Sequence, residues 1–181
     1  MSDKRWQERQ TVSDRQWQER QIAGDRQWES WQIHGSVVLD SQTEQDTKVI
    51  GRQLGESCQP GDIVLLHGDL GVGKTVFTKG FAEGLGISEP VSSPTFTIVQ
   101  IYETGRLPLY HFDVYRIADV EEMDEIGYED YFYGNGVCLI EWAELIAEIL
   151  PDHCIDVTIT KDLEQGLDYR RICIQNRGGE G

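Results

Sequence analysis

Ile63-Val-Leu-Leu-His-Gly-Asp-Leu-Gly-Val-Gly-Lys-Thr75 is the stretch whose reading decides the fold of this chain. Four apolar residues, Ile63 to Leu66, follow the turn signal Gln59-Pro-Gly-Asp62 and read as a strand buried on both faces. Gly68 to Thr75 match the pattern G-x-x-x-x-G-K-[ST], and residues 75–85 read as a helix ended by Gly86, with Pro90 beyond it. Strand, glycine-rich bend and helix in that order turn successive backbone N–H groups, and the positive end of the helix, toward one anion. We therefore expect a phosphate cradle made of Gly71, Val72, Gly73, Lys74, Thr75 and Val76. Lys74 contacts the β and γ phosphates of a nucleotide as a mobile point charge, and the Thr75 hydroxyl holds magnesium.

Working outward, Ser41-Gln-Thr-Glu44 matches a capping box that opens a helix running to about Cys58. Strands are predicted near 96–102, 109–116, 137–140, 155–160 and 169–174, with an acidic helix over 119–126. Helices alternating with apolar strands predict an α/β domain over 36–181: three layers, with a mixed, partly parallel central sheet of the P-loop NTPase kind.

Magnesium on phosphates usually needs a protein carboxylate as well. Val137-Cys-Leu-Ile-Glu141 delivers one at the C-terminal edge of a buried strand, where ligands of α/β sheets gather. The competing reading makes Glu141 the first-turn acid of a following helix. Trp142 reads equally as core or as a gate. In Leu109-Tyr-His-Phe-Asp-Val-Tyr-Arg116, alternation puts Leu109, His111, Asp113 and Tyr115 on one strand face. His111 and Asp113 then point together, either into a magnesium-bound water network or into a hydrogen bond with each other. Ser93-Pro-Thr-Phe96 brings Thr95 toward the γ phosphate, or is simply a turn entering a strand.

The chain has 181 residues and a formal charge of −16. Residues 1–35 repeat with a period of 11: Asp3, Asp14 and Asp25 each precede a tryptophan by three positions, at Trp6, Trp17 and Trp28. This extension holds six basic and six acidic residues, so all the net charge lies on the remaining 146, which have ten basic and 26 acidic residues. Such a body is a poor ligand for nucleic acid by itself, because affinity for phosphate backbones comes largely from cations releasing counterions. A basic protein partner suits it better. The repeats read as a flexible or partly helical extension, with an Arg/Trp platform for single-stranded RNA and a self-association stripe as the alternatives. Cys58, Cys138, Cys154 and Cys173 lie far apart without a Cys-x-x-Cys pair, so buried reduced thiols are expected. Apolar runs are far too short to span a membrane, and the charged N-terminus lacks a signal-peptide core, so a cytoplasmic protein is expected. Few arginines are available to clamp two anionic substrates, as a small-molecule kinase requires. No Asn-Lys-x-Asp follows a strand, as a guanine-nucleotide switch requires.

Gly68-Asp-Leu-Gly-Val-Gly-Lys-Thr75, Ser93-Pro-Thr-Phe96, His111-Phe-Asp-Val-Tyr-Arg116 and Leu139-Ile-Glu-Trp-Ala-Glu144, in this order and spacing, resemble the TsaE (YjeE) family, P-loop ATPases of bacterial tRNA threonylcarbamoyladenosine biosynthesis. The resemblance covers about Ser41 to Ile174. It implies that Lys74 and Thr75 bind ATP and magnesium and that Glu141 is the second metal ligand. It also implies that Asp113 and Thr95 sit around the γ phosphate, completing a catalytic set of Lys74, Asp113, Glu141 and Thr95. The implied role is a slow, partner-stimulated ATPase that acts with TsaB and TsaD, which modify the adenosine 3′ of the anticodon. tRNA is then met only through that complex. Val72 departs from the alanine usual in the loop, and the repeats have no counterpart in the family.

Overall fold

The run at Ile63 is the centre of a seven-stranded sheet. In the computed structural model, which describes residues 35–94 and 96–178, the elements are β1 (Ser36–Ser41), α1 (Glu44–Ser57), β2 (Ile63–His67), α2 (Lys74–Gly84), β3 (Val99–Tyr102), β4 (Leu109–Asp113), α3 (Glu122–Ile126), α4 (Tyr128–Phe132), β5 (Val137–Glu141), a 3₁₀ helix (Ala143–Ile149), β6 (Ile155–Lys161) and β7 (Arg170–Asn176). Residues 1–34 of the repeat extension at 1–35, and Thr95, lie outside the described residues. Strand order is β1-β7-β6-β2-β5-β4-β3. The four central strands β6, β2, β5 and β4 run parallel, while β3, β7 and β1 join antiparallel. This is the expected three-layer α/β architecture with a mixed sheet.

Alternation along the strands supplies both cores. Val64, Leu66, Val137, Leu139, Val157 and Ile159 meet α1 and α2, which pack Ile50, Leu54, Phe77 and Phe81 onto them. Ile63, Leu65, Cys138 and Ile140 face the other way, onto Phe112, Met123, Phe132 and Ile146. Each fully buried Leu or Phe contributes roughly 1.5–3 kcal/mol relative to exposure. Both faces of β2 and β5 are covered, which is why neither strand alternates with polar residues.

Helices α1 and α2 touch backbone to backbone. A Cβ at Gly51 or Gly55 would collide with the carbonyl of Phe77 or Phe81, and one at Gly80 or Gly84 with that of Lys48 or Arg52. The two pairs, each spaced four residues apart, lie on facing helix stripes. They lock α2, and with it the glycine-rich bend ahead of it, onto α1.

Several boundaries differ from the sequence reading. Strand β1 was not predicted, although its burial alternates at every residue. Helix α1 is capped by Thr43, whose side chain accepts from the Asp46 N–H, rather than by Ser41. Ser41 ends β1 instead, with its hydroxyl bonded to Thr47 and to the Thr43 carbonyl. Strand β3 starts at Val99, not 96, because the N–H groups of Thr97 and Ile98 both bond to the Pro94 carbonyl and turn the chain. Strand β4 stops at Asp113, not 116, because the Asp113 carboxylate accepts from the Tyr115 N–H. The acidic helix over 119–126 is shorter, and Gly127, in the left-handed region, hinges it to α4.

Candidate nucleotide-binding site

Residues 68–73 leave the C-terminal edge of β2 as a bend in which Gly68, Gly71 and Gly73 have φ of 154°, 73° and 108°. A Cβ at Gly71 would meet nothing within 4 Å, so the bend is open on that side. Gly73 is the N-cap of α2 and offers no side-chain cap. The first bond into the helix runs from the Phe77 N–H to the Gly73 carbonyl. The N–H groups ahead of it are the orphans that every helix start leaves for an outside acceptor. Here they border a cavity of about 680 Å³ lined by Gly71, Gly73, Lys74 and Thr75 on the helix side. The Val72 side chain is buried in the core, so only its backbone belongs to the bend.

Two acids close the cavity from the neighbouring strands. Asp113 and Glu141 end β4 and β5, stand opposite each other in parallel register, and both line the cavity. They are 8% and 7% exposed, and polar groups this deep require hydrogen-bond partners. Asp113 accepts from the Ser93 hydroxyl at 3.4 Å and from the Tyr115 N–H at 3.1 Å. Glu141 lies 3.2 Å from His111 Nε2. His111 is 1% exposed, and its Nδ1 has no hydrogen-bond partner. The side chains of His111 and Asp113 do share a strand face, as expected, but His111 is paired with Glu141 rather than with Asp113.

Lys74, 9% exposed, holds its ammonium 4.6 Å from the centre of the Trp142 ring, and Tyr115 packs against the same ring at 4.9 Å. Trp142 follows Glu141 directly and takes φ 63°, a left-handed conformation costly for an aromatic residue. Ile98, in the segment that leads from Ser93 into β3, is the other non-glycine with positive φ among the described residues. Both outliers flank the acids: the Asp113 N–H bonds to the Ile98 carbonyl. Arg116 also lines the cavity and stacks on Phe96, which is 84% exposed.

Of the residues singled out from sequence, Gly71, Gly73, Lys74, Thr75, Asp113 and Glu141 line one cavity, and Val76 is the third residue of α2, just beyond Thr75. Thr95 is outside the described residues. Sequence reasoning missed Arg170, at the start of β7, whose Nε donates to the Val72 carbonyl at 2.6 Å. No local pattern marks an arginine 98 residues from its acceptor.

The residues fit a magnesium–nucleotide. Among the described residues, no group of three or more His, Cys, Asp or Glu is placed to hold a metal alone. The bend is open at Gly71, and the Thr75 hydroxyl and the Glu141 carboxylate, both on the cavity wall, are oxygen donors of the kind magnesium takes. Among the described residues no helix is long and apolar enough to cross a membrane.

The family model described as "Threonylcarbamoyl adenosine biosynthesis protein TsaE" matches residues 41–172. A protein from Bacillus subtilis named tRNA threonylcarbamoyladenosine biosynthesis protein TsaE is 53% identical over 128 residues, 71% of this chain and 78% of that one. Its namesake from Treponema pallidum is 46% identical over 119 residues, 66% of this chain and 87% of that one. A crystal structure of Bacillus subtilis YdiB superposes with a TM-score of 0.68 at 43% identity, covering 79% of this chain and 86% of that one. On sequence and fold together, the chain belongs to the TsaE family.

Proposed function

We propose that residues 36–181 form an ATPase domain that binds ATP with magnesium, hydrolyses it slowly, and serves threonylcarbamoyl modification of the adenosine 3′ of the anticodon in tRNA. The observation that carries the reading is the convergence of the Gly68–Thr75 bend with the buried pair Asp113 and Glu141 around one cavity. Lys74 leaves the Trp142 ring for the β and γ phosphates, exchanging a cation–π contact for a charge-assisted one. Thr75 and Glu141 are the metal ligands of the proposal, and Asp113 orients the attacking water, with Thr95 near the γ phosphate. Magnesium, when bound, neutralises charge on the phosphate oxygens. His111 keeps Glu141 hydrogen-bonded and aimed along the strand edge.

TsaB and TsaD are the proposed partners and tRNA is reached through them, since a body with this acidic excess has no electrostatic hold on RNA. The place of action is the cytoplasm, where tRNA and ATP are available together. Reconstitution with TsaB, TsaD and tRNA tests the proposal. Wild type should give product beyond one turnover, whereas Lys74→Ala and Glu141→Ala should stop after the first. Equal product from all three would overturn it.

A further inference from the structure

Arg170 grips the glycine-rich bend from behind. Its Nε donates to the Val72 carbonyl at 2.6 Å, and its Nη1 donates to the carbonyls of Leu167 and Tyr169 at 2.8 and 2.7 Å. All three bonds go to backbone oxygens, so the guanidinium is a fixed strut between the β6–β7 connection and the bend. Arg170 does not line the cavity, whereas Gly73 does.

A trans peptide is planar, and its C=O and N–H point in opposite directions. Holding the Val72 oxygen toward Arg170 therefore turns the Gly73 N–H away from it. Nothing local would hold that orientation. Gly73 tolerates either sign of φ, so the Val72–Gly73 peptide can flip at little cost, and α2 has no side-chain cap to prevent it. We propose that Arg170 is a positioning residue: by anchoring the Val72 carbonyl it keeps the Gly73 N–H facing the nucleotide's β-phosphate position. This rests on the nucleotide reading above and adds to it the group that preorganises the phosphate donors.

The test uses the full chain, ¹⁵N-labelled, as wild type, Arg170→Met and Arg170→Lys, with thermal melting to establish that each variant is folded. In nucleotide-free protein the Gly73 amide resonance should shift or broaden in Arg170→Met while amides of the α1–α2 contact stay in place. Calorimetric titration should show ADP binding about tenfold weaker in Arg170→Met. Arg170→Lys keeps the charge but not the fork, and should recover only part of the loss. Wild-type ADP affinity in a folded Arg170→Met with an unmoved Gly73 resonance would overturn the proposal. Full recovery by lysine would also overturn it, because the effect would then be one of charge alone. Should Arg170→Met fail to fold, Arg170→Lys decides: a shifted Gly73 amide with about threefold weaker ADP supports the proposal, and wild-type values refute it. If wild type itself takes up no ADP, the nucleotide reading falls, and the Gly73 resonance in nucleotide-free protein still decides whether Arg170 sets the peptide.

Discussion

On the face of the sheet that carries α1 and α2, helix backbones touch through glycine; on the opposite face three short helices stand off, and aromatic rings fill the gap. At Gly51, Gly55, Gly80 and Gly84 the two long helices approach so closely that a Cβ would strike the facing backbone carbonyl. Across the sheet, Phe112, Phe132, Tyr128 and Tyr131 meet edge to face at 5.1–5.7 Å. The site residues Asp113, Glu141 and Lys74 belong to the glycine-built face. Backbone-to-backbone contact has no rotamers to relax, so it transmits position, whereas a ring cluster chiefly supplies buried area. The difference implies that the aromatic face sets how stable the domain is and the helix pair sets where the glycine-rich bend sits.

The largest effect on stability should come from the aromatic face. Phe132→Ala removes a ring 2% exposed and should cost about 3–5 kcal/mol in urea denaturation. ADP affinity, titrated well below the melting temperature, should stay within about twofold of wild type. A large loss of affinity would mean that the two faces are not separable. Gly80→Ala should cost less, about 1–3 kcal/mol, since overpacking is partly offset by better helix propensity. It should nevertheless weaken ADP binding more than Phe132→Ala does, because α2 must move off α1 and take the bend with it. Unchanged affinity in Gly80→Ala would break the comparison.

A gentler effect divides between the faces through buried thiols. Burial pushes the Cys58 and Cys138 thiols far above their ordinary value of 9.0, and Cys154 is pushed up to about 11. The folded state therefore keeps protons that the unfolded chain gives up. The stability this provides is complete below pH 9 and declines as pH rises above it. Chemical denaturation between pH 8 and 10.5 should show this decline, reduced in Cys58→Ala on one face and in Cys138→Ala on the other; a flat profile in wild type would contradict the burial. The smallest effect concerns Trp142. Its contact with Lys74 is worth about 0.5–1 kcal/mol and competes with phosphate, so Trp142→Leu should tighten ADP by a few-fold at most. Weaker binding would show instead that the ring supports the nucleotide.

Much of this arrangement was legible in residue order. The bend at Gly68–Thr75 is a local pattern, and the acids at 113 and 141 end apolar runs that have to be buried strands. Their meeting depends on β2, β5 and β4 lying side by side, which alternating α/β sequence favours but does not dictate. The glycine contact was illegible because, without a partner helix in view, Gly51 and Gly80 look only like weak helix formers. The cap moved from Ser41 to Thr43 because pairing with β7 claims Ser41 for a strand. Arg170 was hidden for the same reason: its acceptor is brought near only by the completed sheet.

The central claim, that the bend and the two acids form a nucleotide site, is tested most directly by calorimetric titration of ATP and ADP with magnesium into the purified full chain. The account predicts saturable heat with one nucleotide per chain, lost in Lys74→Ala although that variant melts as a folded protein. Absence of heat from the folded wild type, or binding unchanged in Lys74→Ala, would contradict it.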